Sequence, residues 1–245
     1  MKRAIAATAL SILMAPAVIA QDTFSSIEQA TDPYERLFEA LTPQAGLDQA
    51  LDNMMSEMRS AYEKQPDMMQ LEVACPGSID VMVKTIVPFM GEYNAIEMNL
   101  RREATLRILR EELSDEHARA AHEFYSSELG QKLVMAALNN FTAEETFEEA
   151  LADPDSETVI DEQSFRRDQI NAAFAAARTL SPQEMKTVNG ELAGTDWFAA
   201  LKAAQVKISA ANLKIANSDF APEVDKRVDL ALDEAIEGHF ETCDY

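Results

Sequence analysis

The segment Leu113–Leu138 reads LSDEHARAAHEFYSSELGQKLVMAAL and predicts a helical hairpin. Its first helix should begin after Ser114, whose hydroxyl can cap the first turn, and end near Tyr125. A second helix should follow, with Gly130 in its first turn. Glycine inside a helix costs about 1 kcal/mol relative to alanine. We therefore expect Gly130 to permit a close approach by the preceding helix or by the Tyr125 ring.

Helical patterns also cover most of the remaining chain, in about ten segments joined by short connections. Start signals such as Asp32–Pro33 and Ser181–Pro182 place a capping side chain before a proline at the first helical position. Seven glycines and nine prolines are few for a turn-rich β protein of 245 residues. We predict an all-α fold, a multi-helix bundle that forms one domain over residues 21–245.

Two features should interrupt the pattern between the first helices and the hairpin. Residues 65–78 contain Pro66 and a Cys-Pro-Gly sequence, which predicts a break. Pro88 lies inside the long pattern that follows, and it should kink or split that helix near residues 84–88 because proline removes a backbone hydrogen bond.

Between the hairpin and residue 180, local signals predict two further helices. Thr142 and Glu145 have the spacing of a capping box. Another helix is expected over about residues 157–179. The acidic run at residues 153–157 resembles the start of a calcium loop, but Thr158 occupies the position that requires glycine, so a solvated helix-start loop is favoured.

Residues 180–201 repeat the plan of the hairpin. Each segment opens on Leu-Ser, continues as a helix of about ten residues, and reaches a break of small residues before a second helix. The second copy lacks the Phe-Tyr pair. Two interpretations stay open: a duplicated hairpin packed as a pair, or the recurrence of a helix-start phrase that capping chemistry favours.

A methionine-rich stripe runs along the predicted helix that ends near Lys64. Its spacing is that of a buried helix face, which favours a core role. The alternatives are an adaptable apolar groove and a Cu(I) site, because thioethers are flexible and soft. The stripe comprises Leu47, Leu51, Met54, Met55, Met58 and Tyr62, with Met68 and Met69 farther along.

The first 20 residues have the three parts of a secretory signal peptide. Lys2 and Arg3 precede an apolar run from Ala4 to Met14, and Ala20 ends a small-residue cleavage site. The run is shorter than the roughly 20 residues that a membrane anchor needs. We predict export of a soluble mature chain to the periplasm or medium, with no transmembrane segment after cleavage.

The predicted mature chain is strongly acidic. The full chain has a formal charge of −22, and loss of the two basic residues in the signal makes it −24. Such a surface disfavours nucleic acid, whose phosphates require basic partners, and anionic membranes. The acidity itself is expected to serve solubility.

The two cysteines, Cys75 and Cys243, form the candidate disulfide. An even count in an oxidising compartment favours a bridge within one chain, and an intermolecular bridge is the rival. Neither belongs to a CxxC pair, so a catalytic thiol is not expected.

No catalytic, cofactor-binding or metal site is predicted from the sequence. His117 and His122 are five residues apart and do not share a helix face. His239 is expected to lie at a helix C-terminus, where a positive charge suits the dipole. Nucleophile-elbow, phosphate-loop and dinucleotide-binding motifs do not occur.

The hairpin resembles the signature of a bacterial family, domain of unknown function 2059, over about residues 100–160. Its first turn carries Ala and His where the family is Glu-rich. The resemblance implies an exported helical envelope protein and transfers no catalytic residue; the matching positions are expected to be packing residues. They are Phe124, Tyr125, Ser126, Gly130, Lys132 and Leu133.

The sequence therefore favours a non-enzymatic periplasmic interaction or binding module, with a protein or a small hydrophobic molecule as the partner. One alternative is a lipid-binding or hydrophobic-ligand-binding helical protein with a cavity lined by Met and Phe. Another is a cell-envelope hydrolase, which would need a cleft with a carboxylate of raised pKa.

Overall fold

The computed structural model describes residues 32–146, 159–192 and 194–243. Ten helices lie wholly within these ranges and no strand occurs in them, which confirms the predicted all-α bundle. The helices are α1 (Pro33–Leu41), α2 (Gln44–Lys64), α3 (Pro66–Ala74), α4 (Ser78–Glu112), α5 (Asp115–Ser126), α6 (Glu128–Asn139), α7 (Glu162–Arg178), α8 (Pro182–Leu192), α9 (Asp196–Ala216) and α10 (Pro222–Phe240).

Helix α4, 35 residues long, is the central element and packs against α9 and α10. The sequence predicted a kink or a split near Pro88, and the helix is not split, because α4 continues through the proline. Helix α10 packs beside the proline: the Arg227 guanidinium lies 5.7 Å from the centre of the Phe89 ring, and Tyr93 donates a hydrogen bond to Asp225. These contacts support the helix where one backbone hydrogen bond is lost.

The sequence also predicted a longer interruption of helical structure at residues 65–78 than the structure shows. Helix α3 fills most of it and begins at Pro66, a position where the missing N–H costs nothing. The chain then turns at Gly77, whose φ of 94° is in the left-handed region that favours glycine. A helix pair formed by α3 and α4 bends by 110° at this turn.

The larger core cluster joins α2, α4, α7 and α10, and it contains most of the methionine stripe. Leu47 lies in a separate small cluster, and Met69 is 47% exposed, so the core role is wrong for Met69. Met54 and Met58 are 0% and 1% exposed, so they lie in the core as favoured. Met55 and Leu51 pack at the edge of this cluster. Burial of each such side chain contributes about 1.5–3 kcal/mol.

A second core cluster joins α1, the end of α4, α5 and α9. Leu37, Leu109 and Leu201 are fully buried in it. Tyr34 closes one side, where its hydroxyl donates to the Leu113 carbonyl at 2.9 Å. This cluster fixes the hairpin against α9.

Two predicted helix starts differ from the structure. Helix α7 begins at Glu162 with Asp161 as its cap, so Val159 and Ile160 precede it. The capping box of Thr142 and Glu145 is wrong, because the Glu145 N–H donates to the buried Asp168 carboxylate at 3.1 Å. A tertiary contact therefore replaces the local one.

Some expectations concern residues outside the described ranges. The predicted signal peptide at residues 1–20 lies outside these ranges, and so does the acidic run at residues 153–157. Among the described helices, no single one combines the length and apolarity needed to cross a bilayer.

Candidate binding groove and disulfide

Gly130 lies in close contact with the end of the preceding helix of the hairpin. A Cβ placed on it would overlap the Phe124 carbonyl oxygen and lie 2.6 Å from the Tyr125 Cα. The Ser127 hydroxyl caps α6 and accepts a hydrogen bond from the Gly130 N–H at 3.1 Å. The predicted close approach by the preceding helix is therefore confirmed.

The aromatic pair of the hairpin packs against Trp197, the first aromatic residue of α9. Ring centres are 5.9 Å apart for Phe124 and Trp197, and 6.5 Å apart for Tyr125 and Trp197. Burial raises the pKa of Tyr125 to about 12. Phe124 and Tyr125 therefore both pack against the start of α9.

The remaining residues of the family-like motif lie at or near the surface. Ser126 is exposed at the end of α5, and Leu133 is half-buried on α6. Lys132 forms an ion pair with Glu184 of α8 at 2.6 Å. The motif thus brings the hairpin into contact with both helices of the segment at residues 180–201.

Glu184 also belongs to a capping box at the start of α8. Its carboxylate accepts from the Ser181 N–H at 2.7 Å, and the Ser181 hydroxyl accepts from the Glu184 N–H at 3.2 Å. Hydrogen bonds from Lys132 and from Ser181 lower the pKa of Glu184 to about 2. The two hairpin-like segments therefore pack side by side, while their origin by duplication stays a prediction.

Cys75 and Cys243 pair within one chain, as predicted. Their Cα atoms are 5.5 Å apart, inside the range that a disulfide requires. Cys75 is completely buried at the end of α3, and Cys243 follows α10. The bridge joins segments 168 residues apart in the chain.

A groove of about 810 Å³ lies between α7 and α9. Its size is within the range of small-molecule sites, which is about 300–1,000 Å³. Apolar side chains from both helices line it, namely Phe165, Val206 and Leu213. Val206 is 72% exposed and therefore accessible to a ligand from solvent.

The charged side chains of the groove are mostly basic. Arg166 on α7 and Lys202 and Lys214 on α9 line it, together with one acidic residue, Glu162. Their sum is +2 in a chain whose formal charge is −22. None of the three cations is ion-paired with another residue in the described part of the chain.

Polar side chains link the two helices within the groove. The Ser209 hydroxyl donates to Gln169 Oε1 at 3.0 Å. The other end of that amide, Gln169 Nε2, is buried and has no partner among the described residues. At one end of the groove, Asn217 makes two hydrogen bonds to the backbone of Ile160, at 2.7 and 3.0 Å. These contacts hold the groove walls in place.

Among the described residues, two carboxyl groups have a raised pKa, and neither lines the groove. Burial raises the pKa of Glu97 to about 7 and outweighs the attraction of Arg101, to which it is paired. Burial also raises the pKa of Asp168, which accepts hydrogen bonds from Thr146 and the backbone. Both residues are buried structural groups.

Sequence reasoning placed His239 correctly in the last turn of α10, but it missed the groove and the contact of His239 with the two cysteines. Lys202, Val206 and Leu213 have helical spacing, which marks one face of α9, but no local signal shows that α7 lies opposite. His239 and Cys243 are four residues apart, a spacing that places two side chains on one helix face. That spacing was the one signal in the sequence that could have predicted the contact between His239 and Cys243.

No family model matches the chain, and no curated protein or solved structure matches it.

Proposed function

We propose that this protein is an exported, non-enzymatic binding module, and that the groove between α7 and α9 binds a small organic anion with an apolar body. The observation that carries the proposal is the groove's charge of +2, next to apolar walls, in a chain of −22. Most of the surface repels anions, so a local basic groove concentrates them there.

The groove offers a distinct contact for each part of such a ligand. Arg166, Lys202 and Lys214 would neutralise a carboxylate or similar acid group. Phe165, Val206 and Leu213 would cover the apolar body. A ligand oxygen would also satisfy the Gln169 Nε2 donor, which is buried and has no hydrogen-bond partner in the part of the chain that the structure describes.

Export is proposed on separate grounds. The pattern of residues 1–20 is that of a signal peptide. The cysteine pair has the geometry of a disulfide, which persists in oxidising compartments. The resemblance of residues 100–160 to domain of unknown function 2059, a family of exported helical proteins, supports the same location.

Binding can be tested with decanoate, a carboxylate with an apolar chain, by isothermal titration calorimetry. We expect saturable binding at one site and weaker binding of decanol, which has the same chain length without the charge. Replacing both groove lysines (Lys202→Gln with Lys214→Gln) should weaken decanoate binding by about tenfold or more, because charge-assisted hydrogen bonds are worth about 1.5–3 kcal/mol each.

The matched control replaces two lysines outside the groove, Lys64→Gln with Lys186→Gln, which have no described ion pair. This variant has the same change in net charge and should bind decanoate like the unmodified protein. Absence of decanoate binding, or equal weakening in both double variants, would contradict the proposal.

A further inference from the structure

Cys75, Cys243 and His239 form a cluster at the end of the molecule where α3 and α10 meet. One sulfur from each cysteine and one ring nitrogen of His239 all lie within 4.8 Å of one another. Cys75 is buried and the other two are half-buried. None of the three lines the groove between α7 and α9.

We propose that reduction of the Cys75–Cys243 disulfide converts this cluster into a site for one thiophilic divalent metal ion of the Zn²⁺ class. Two thiolates and one imidazole would be its protein ligands. Sulfur and nitrogen ligands select Zn²⁺ over Mg²⁺ or Ca²⁺, which prefer oxygen. Three protein ligands leave a fourth position for water or a small ligand.

The geometry requires only a small movement. In a tetrahedral site with Zn–S distances near 2.3 Å, the two sulfurs are about 3.8 Å apart. Moving from a disulfide to that arrangement separates them by roughly 2 Å. Rotations of the two cysteine side chains can supply this, since the ligand atoms already lie within 4.8 Å of one another.

The chemistry balances through ordinary thiol–disulfide exchange. A dithiol reductant supplies two electrons and two protons; the Cys75–Cys243 bond breaks and a disulfide forms in the reductant. The two resulting thiols each lose a proton when Zn²⁺ binds, so the protein gains a metal ion and releases two protons.

Hydrogen bonds that do not involve sulfur hold the Cys75 side of the cluster. The Glu72 carboxylate accepts from the Gly77 N–H at 2.6 Å and from the Ile79 N–H at 3.0 Å. The Ser78 hydroxyl donates to the Cys75 carbonyl at 2.6 Å. This turn should therefore keep its shape when the disulfide opens.

The end of α10 is held in a similar way. The Thr242 hydroxyl donates to the His239 carbonyl at 2.6 Å, and the Cys243 N–H donates to the Phe240 carbonyl at 3.2 Å. His239 Nε2 lies 3.2 Å from the Pro76 carbonyl oxygen. That hydrogen bond needs the proton on Nε2 and leaves the lone pair on Nδ1, the arrangement in which a backbone carbonyl orients a ligating histidine.

The test is titration of the reduced protein with Zn²⁺ against a chromophoric chelator, with a phosphine as the reductant. We expect one Zn²⁺ per reduced chain and none on the oxidised chain. Co²⁺ in place of Zn²⁺ should give the sulfur-to-cobalt charge-transfer band and the visible bands of a tetrahedral site. The His239→Gln variant should bind Zn²⁺ at least about tenfold more weakly, since even residues that only support ligands contribute 10–100-fold.

His122→Gln is the matched control, because His122 lies on α5 outside the cluster, and it should bind like the unmodified protein. Circular dichroism of the reduced, metal-free variants establishes that each is folded. The proposal would be overturned if the reduced protein bound Zn²⁺ no more tightly than a Cys75→Ser, Cys243→Ser double variant. Equal affinities for the His239→Gln and His122→Gln variants would overturn the role of His239.

Discussion

Of the seven glycines, Gly130 is the one at which an added methyl group should destabilise the protein most. Changing it to alanine places a Cβ against the backbone of Phe124 and Tyr125, which cannot rotate away as a side chain could. We expect Gly130→Ala to lower the free energy of unfolding by about 1–3 kcal/mol or more, the usual cost of overpacking. Urea denaturation followed by circular dichroism would measure it.

Gly91 provides the matched control within a helix. A Cβ there would meet no atom within 4 Å, so Gly91→Ala should raise the free energy of unfolding by up to about 1 kcal/mol through helix propensity. If both alanine variants changed stability in the same direction, the close approach at Gly130 would not be the reason for its glycine.

Glu97 should make stability depend on pH. Its pKa in the folded protein is about 7, above the ordinary 4.5, because it is buried. Between those values the folded state holds a proton that the unfolded state has released, so the contribution of Glu97 to stability is greatest below pH 4.5 and is lost as pH rises toward 7.

Comparison with Glu97→Gln isolates this contribution. The free energy of unfolding of the natural protein minus that of the variant should fall by up to about 3 kcal/mol from pH 4.5 to pH 7. This difference in the free energy of unfolding should not change with pH below pH 4.5 or above pH 7. A difference that stayed constant across the window would show that Glu97 ionises normally in the folded protein.

At the scale of elements, the aromatic contact at the start of α9 joins two hairpin-like segments. Trp197 is the chain's one tryptophan, so its fluorescence reports directly on this contact. We expect Tyr125→Ala and Trp197→Ala each to destabilise the protein, with a coupling energy of about 0.5–1.5 kcal/mol in a double-mutant cycle. Urea unfolding of the four proteins provides the cycle.

A second pair offers a control for that cycle. Tyr125 and Phe220 lie in different core regions, since Phe220 packs on Tyr93 with ring centres 6.2 Å apart. The effects of Tyr125→Ala and Phe220→Ala should therefore add. Additivity of Tyr125→Ala with Trp197→Ala as well would mean that the two segments do not interact through these rings.

The sequence predicted the helices better than it predicted their ends. The Ser114 cap is confirmed, because capping chemistry is local: its hydroxyl accepts from the His117 N–H at 3.2 Å. The continuous α4 and the role of Asp168 were not predictable, because each depends on residues distant in the chain. Contacts from α10 lie beside Pro88, and Asp168 accepts the hydrogen bond assigned to a local capping box.

For the whole molecule, the Cys75–Cys243 disulfide is the longest-range covalent constraint. It closes a loop of 168 residues, for which the chain-entropy model gives about 5 kcal/mol as an upper value. We expect a reductant, with chelator present to exclude metal, to lower the urea midpoint of the natural protein. The Cys75→Ser, Cys243→Ser variant should not respond. An unchanged midpoint for the natural protein would contradict a bridge that stabilises the fold.

The sequence alone determined the all-α class, the hairpin, the packing role of Gly130 and the buried face of α2 that carries Met54 and Met58. Each follows from spacing within one helix or turn, where neighbouring residues dictate the conformation. Only the tertiary structure brought Arg166 to the groove beside Lys202 and Lys214, and His239 beside Cys75. Those contacts depend on which helices pack together, and the burial of apolar helix faces over the whole chain determines that packing.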